Sequence, residues 1–107
     1  MAKISPTRRR RQQALKITTE TYNTVYERDN GGCVLCAILG IHPKITSNPI
    51  LELHHYISRG RSGMGIEENL LLLCKHHHIE ETLYRKEIQE YLKSKYEEWN
   101  EDKLTFK

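Results

Sequence analysis

A small α+β domain is the architecture this sequence predicts, and three observations predict it. The chain has 107 residues, of which 37% are apolar, with one Trp and one Phe against six Tyr. At that size a hydrophobic core alone is marginal, and a bound metal is a common staple. Cysteine and histidine are concentrated: all three cysteines fall between Cys33 and Cys74, and five of the six histidines between Leu51 and His78. Helical patterning marks both ends of the chain, whereas short apolar runs bounded by turn residues mark the middle.

Residues 1–14 hold Pro6, Arg8-Arg9-Arg10-Arg11 and two glutamines, with little to bury. A flexible basic arm that orders on a polyanion is expected. Leu15 to Arg28 reads as a helix, with Ile17, Tyr22, Val25 and Tyr26 on one stripe and Thr18 or Thr19 as cap. Asp29-Asn30-Gly31-Gly32 stops it. After Cys33 to Cys36, Ala37 to Asn48 reads as a connector, with His42 a surface histidine. Ile50 to Ile57 reads as a strand, and 58–69 as a turn or loop. Leu70 to Leu73 fits a second strand or the start of a buried helix; periodicity does not separate the two. Lys75 to Tyr84 is expected to be helical. Arg85 to Glu98 continues after a bend, with Ile88, Tyr91, Leu92, Lys95 and Trp99 along one side and a solvated Lys/Glu face.

Net charge is +3, but residues 1–30 carry seven Lys/Arg against three acids, and residues 61–107 eight against ten. The amino end is therefore the part suited to lie along phosphates. An odd cysteine count and the lack of a signal-like or long apolar stretch argue against disulfides and a membrane span. A soluble, reducing, cytoplasmic setting is the expectation.

Cys33-x-x-Cys36 is a redox pair or half of a zinc site. The redox reading wants a thioredoxin-like surround, which the pattern lacks. The zinc reading wants a second pair of soft ligands, and Cys74 with His77 supplies it at the same gap. Four ligands fill a tetrahedral ion, so zinc held by Cys33, Cys36, Cys74 and His77 would be structural. The distance between the pairs is too long for a DNA-reading zinc finger. His76 is the alternative fourth ligand. Along a helix, Cys74, His77 and His78 share a broad face, with His77 and His78 about 100° apart, so they can serve two centres.

The order of these parts is a knuckle, the pair His54-His55, a glycine loop, Asn69, then Cys74 leading His76-His77-His78. It resembles the HNH endonuclease family over about half the chain. The family usually has Cys-x-x-Cys-His at the last point; here His77 stands at the second cysteine. The resemblance implies a ββα-metal (His-Me finger) core with structural zinc, flanked by an N-terminal and a C-terminal helix, with Leu70–Leu73 as the second strand. Residues 15–107 would be the nuclease domain with its helical extension. It implies metal-dependent nicking or cutting of DNA. His55 would be the general base, and Asn69 would orient it or join the metal shell. His54 and His78 would hold a catalytic ion, Mg²⁺ or Mn²⁺, with Ni²⁺, Co²⁺ or Zn²⁺ as alternatives. On a strand, His54 and His55 point to opposite faces, so the strand must end or bend there. Glu52 is a candidate partner for a metal-bound His54. Arg59 and Arg61, beside Gly60, Gly63 and Gly65, are expected to contact the scissile strand, with Lys75 and Arg8 to Arg11 adding phosphate contacts. Small HNH proteins of this form occur in phages and prophages, where some act with the packaging terminase. The competing reading is a non-catalytic, zinc-stabilised nucleic-acid-binding module.

Overall fold

A computed structural model describes residues 6–40 and 51–106; the stretch 41–50, with His42, Pro43 and Ile50, lies outside the described residues. The described residues form a small α+β fold with a two-stranded antiparallel sheet. The elements run α1 (Pro6–Leu15), α2 (Thr19–Arg28), α3 (Val34–Leu39), β1 (Leu51–His55), β2 (Leu70–Cys74), α4 (Lys75–Ile79) and α5 (Arg85–Lys95), with single 3₁₀ turns between and after them. Among these, no helix is long and apolar enough to cross a membrane.

α1 occupies the stretch read as a flexible arm. Pro6 suits the first helical position, and Arg, Gln, Ala and Leu are good helix formers. Leu15 buries itself, the Ala14 carbonyl accepts the Gly65 N–H at 2.9 Å, and Arg11 reaches the Ser62 hydroxyl at 3.2 Å and the Arg59 carbonyl. α2 is capped by Thr18, whose hydroxyl accepts the Thr21 N–H at 3.1 Å. It ends as expected: Asn30 and Gly31 take φ of 56° and 62°. Gly31 is doubly required, because a Cβ there would sit 2.8 Å from the Tyr26 ring.

Leu51 pairs with Cys74 and His55 with Leu70, which fixes the register of the hairpin. Leu71 and Leu73 pack with Val34, Leu35, Ile88, Leu92 and Leu104, whereas Leu70 and Leu72 pack with Val25. With cover on both faces, β2 reads as an unbroken leucine run rather than an alternation. That is why periodicity could not separate strand from helix. Each such leucine contributes roughly 1.5–3 kcal/mol through burial.

Among the described residues the outer edge of β2 has no neighbouring strand, and polar groups along it are met by the end of α2. Asp29 accepts the Leu72 N–H at 2.9 Å and the Tyr91 hydroxyl. Arg28 donates to the Leu70 carbonyl, to the Glu67 carbonyl at 2.7 Å and to Tyr96 at 3.0 Å. The guanidinium also pairs with Asp29 at 2.8 Å. Burial, then the bond to Asp29, holds the Tyr91 hydroxyl above its ordinary pKa.

The helix expected over 75–84 is broken. α4 stops at Ile79, a 3₁₀ turn spans Glu81–Tyr84, and α5 ends at Lys95, short of Glu98. Beyond the break, Ile88 and Leu92 pack with Leu71 and Leu73 of the sheet. Ala37 to Leu39, read as connector, completes α3 instead. Trp99 lies beyond α5, where its indole N–H donates to the Glu68 carbonyl at 2.7 Å.

Candidate metal centre and adjoining cleft

Three elements bring one buried donor set together. Cys33 precedes α3 and its sulfur accepts the Cys36 N–H at 3.4 Å; Cys36 sits in the first turn of that helix. Cys74 closes β2 and His77 projects from α4. The His77 Nδ1 lies 3.3 Å from the Cys33 sulfur and 3.4 Å from those of Cys36 and Cys74, and the Cys36 and Cys74 sulfurs are 3.9 Å apart. Tetrahedral zinc, with bonds of about 2.3 Å to sulfur and 2.0 Å to nitrogen, needs edges of roughly 3.8 Å between sulfurs and 3.5 Å between sulfur and nitrogen. The donors fit that ion, and the buried cluster could hold a structural metal such as zinc.

Electrostatics agree. Burial and the neighbouring Cys33 and Cys74 push the Cys36 thiol up to about 12. Three crowded thiols resist ionisation unless a cation shares the site. Burial and His76 lower the His77 pKa, which keeps its nitrogen a donor of electrons. The choice between the two histidines falls on His77, which is 2% exposed. His76 has a side chain 69% exposed, lies 3.4 Å from Glu80 and takes no part in the cluster.

Next to this centre lies an open cleft of about 620 Å³, lined by His54, His55, Arg61, Glu81 and Arg85 among others. β1 ends at His55 and the chain bends at Tyr56 and Ile57, so both histidines reach the same cleft. Their Nε2 atoms are buried and lack hydrogen-bond partners. Glu81 Oε2 is 3.3 Å from the His54 Nε2, without the alignment of a hydrogen bond. Burial, then His78, Arg85 and His55, lowers His54 to about 4. Burial and Arg59 lower His55. His78 stacks edge-on to His54, with ring centroids 5.0 Å apart.

Glu52, expected beside His54, instead places its carboxylate 3.5 Å from the His78 Nδ1. Asn69 is fully buried, and its amide bonds backbone groups rather than the imidazole of His55. Its amide accepts the Ile57 N–H at 2.8 Å and donates to the carbonyls of Ile57 and Met64 at 3.1 and 2.9 Å. It thus fixes the backbone two residues beyond His55.

The loop glycines also differ from expectation. A Cβ at Gly63 would lie 1.7 Å from the Ile57 carbonyl oxygen, and one at Gly65 2.5 Å from that of Lys16. These glycines admit the protein's own backbone rather than a ligand. Arg59 and Lys75 are exposed, and Arg11 docks on the 59–62 turn. Arg8, Arg9 and Arg10 lie exposed along the same helix.

Sequence reasoning passed over Glu81 and Arg85, which it placed in helices of ordinary face. Their i, i+4 spacing and the position of Glu81 three residues after His78 were the available signal. The Arg85 guanidinium lies 4.3 Å from the Tyr56 ring centroid and 3.4 Å from Glu81. No family model matches this chain, and no curated protein or solved structure matches it either.

Proposed function

We propose that this chain is a metal-dependent endonuclease of the HNH kind that hydrolyses DNA phosphodiester bonds, built on a ββα-metal core of β1, β2 and α4. The observation that carries the reading is the pair of buried, unpartnered imidazole nitrogens of His54 and His55 at one open cleft. Unsatisfied buried polar atoms are costly in a purely structural role and common where a ligand or reacting group binds.

In this reading His55 is neutral before the reaction and accepts the proton of the attacking water. The water oxygen bonds to phosphorus as the bond to the 3′-oxygen breaks. His54 and His78 are the residues that would hold a divalent cation, which would supply charge stabilisation for the leaving oxygen. Imidazole ligands favour Ni²⁺, Co²⁺ or Zn²⁺, whereas Mg²⁺ or Mn²⁺ would lean on the water and phosphate oxygens beside them. Asn69 positions His55 by clamping the backbone at Ile57. Arg61 at the cleft, with Arg59, Lys75 and the α1 arginines Arg8 to Arg11, neutralises phosphates along the strand. The Cys33, Cys36, Cys74 and His77 zinc holds the scaffold and takes no part in the reaction. A phage or prophage setting, with a packaging terminase as partner, belongs to the same reading.

A non-catalytic nucleic-acid-binding module is favoured by one observation: the Asn69 amide spends both of its N–H donors and one oxygen lone pair on backbone groups. Nicking of supercoiled plasmid in Mg²⁺ or Mn²⁺ separates the two. Wild type is expected to convert plasmid to the open circle and His55→Ala to leave it supercoiled; equal behaviour of the two proteins refutes the nuclease.

A further inference from the structure

We propose that Arg85 receives the phosphate under attack, and that the Glu81 carboxylate occupies this anion position until the substrate displaces it; the identity of the anion as a phosphodiester rests on the endonuclease reading. One oxygen of Glu81, Oε2, stands 3.3 Å from the His54 Nε2 and 3.4 Å from the Arg85 Nη1. A single acceptor atom therefore sits between a guanidinium and a buried imidazole nitrogen. Toward the imidazole it lacks the alignment of a hydrogen bond, and among the described residues that nitrogen has no partner. Toward Arg85 the hydrogen bond is 3.4 Å long. Charge-assisted bonds of this kind are commonly about 2.7–2.9 Å. Glu81 thus fills the position without satisfying either neighbour, as a placeholder does.

Arg85 is mounted to take an anion. Its guanidinium carbon lies 4.3 Å from the centre of the Tyr56 ring, and Tyr56 is buried. Packing on an aromatic ring holds the guanidinium in place, and its N–H groups form a fork that matches two oxygens of one acceptor. Phosphate and carboxylate both present such a pair of oxygens, so the two compete for one site. Arg85, Glu81, His54 and His55 line the same cleft, to which Arg61 adds a second positive charge. Glu101 and Asp102 line it as well, but both are exposed, where solvent and salt screen their charge. An anion that replaces Glu81 on Arg85 lies in the cleft that His55, the proposed base, also faces. Arg85 then touches the substrate, whereas Glu81 sets its affinity by competing with it.

The test is inorganic phosphate titrated into the full, zinc-loaded chain with no other divalent ion, followed by calorimetry and by the ring signals of His54 and His55 in nuclear magnetic resonance. Glu81→Gln is expected to bind phosphate about fivefold more tightly than wild type, the gain from removing a like charge a few ångströms away. Arg85→Ala is expected to weaken binding by at least about tenfold. Arg85→Lys keeps the charge without the fork and is expected to lose less, which separates phosphate contact from a change in folding. Glu80→Gln, which alters the exposed partner of His76, is expected to bind as wild type does. Unchanged or weaker binding in Glu81→Gln overturns the proposal. So does phosphate binding that leaves the His54 and His55 signals unmoved, or the lack of a saturable site in both wild type and Glu81→Gln. Phosphate affinities in the expected order, in a protein that does not nick plasmid, uphold the anion site and sink the nuclease instead.

Discussion

Two histidine-containing centres lie side by side, and they solve opposite problems. At Cys33, Cys36, Cys74 and His77 the four donor atoms converge on one point, all buried. At His54 and His55 the Nε2 atoms are equally hidden from water, yet among the described residues they make no hydrogen bond, and both residues line a cleft. The first is closed on itself, so whatever it binds becomes part of the fold. The second is unfinished, so whatever it binds comes and goes. His77 and His78 are adjacent in the chain, and one turn of α4 sends the first to the closed centre and packs the second against the His54 ring.

Removing the closed centre should have the largest effect. Structural zinc contributes about 10–16 kcal/mol of apparent binding energy in small zinc domains, comparable with the 5–15 kcal/mol that stabilises a whole domain. Chelation of the metal, or Cys74→Ala, is therefore expected to abolish the cooperative thermal transition seen by circular dichroism. A chelated protein that still melts cooperatively at the wild-type temperature would break the contrast, because the cysteine site would then be dispensable to the fold.

The next effect tests whether the metal is the sole staple. Arg28 and Asp29 are nearly excluded from solvent, with side chains 10% and 0% exposed. They serve the free edge of β2, and Asp29→Ala leaves the Leu72 N–H and the Arg28 charge without their partner. Breaking a buried pair from one side costs about 3–5 kcal/mol, which urea unfolding of the zinc-loaded protein should show. A loss under about 1 kcal/mol would mean that the edge is satisfied by water instead.

These two results bear on what the sequence could disclose. The closed centre was legible because its ligands come as two local pairs, each with a two-residue gap, and because metal geometry restricts which residues can serve. The knot at β2 was hidden. Asp29 looked like a turn residue, and its partners Leu72 and Tyr91 are 43 and 62 residues away. Nothing local announces a bond to a strand edge. The leucine run Leu70 to Leu73 was ambiguous for a related reason: cover on both faces erases the alternation that identifies a strand. The arginine run looked like an arm because composition records what a segment cannot bury. It does not record the one buried side chain of α1, Leu15, or the bonds from Ala14 and Arg11 that seat the helix. Gly63 and Gly65 were legible as points of close approach, but glycine does not say what approaches. In the cleft, His54 and His55 could be picked out by the motif they form, whereas Glu81 carries no such mark.

Asn69 lies between the two centres in kind, since its bonds are structural and its proposed role is catalytic. Asn69→Ala leaves the Ile57 N–H and the carbonyls of Ile57 and Met64 without their partner, in a loop that can partly relax to water. A loss of about 2–3 kcal/mol is expected in urea unfolding. If stability falls by that much, nicking should fall with it because the segment after His55 loosens. Full nicking in a destabilised Asn69→Ala would remove the residue from the catalytic account.

The smallest effect on stability, and the sharpest on activity, is expected for His55→Ala. Its Nε2 makes no hydrogen bond among the described residues, so the substitution removes an unsatisfied atom and strands no partner of that nitrogen. Stability should change by no more than about 1 kcal/mol, well below the loss for Asp29→Ala. A general base contributes about 10²–10⁴ to rate, so plasmid nicking should drop by at least about a hundredfold. The two readouts must separate for the comparison to hold. Were His55→Ala to unfold the protein as Cys74→Ala does, the open cleft would be a second structural centre, and the unpartnered nitrogens would need a resident ligand rather than a substrate.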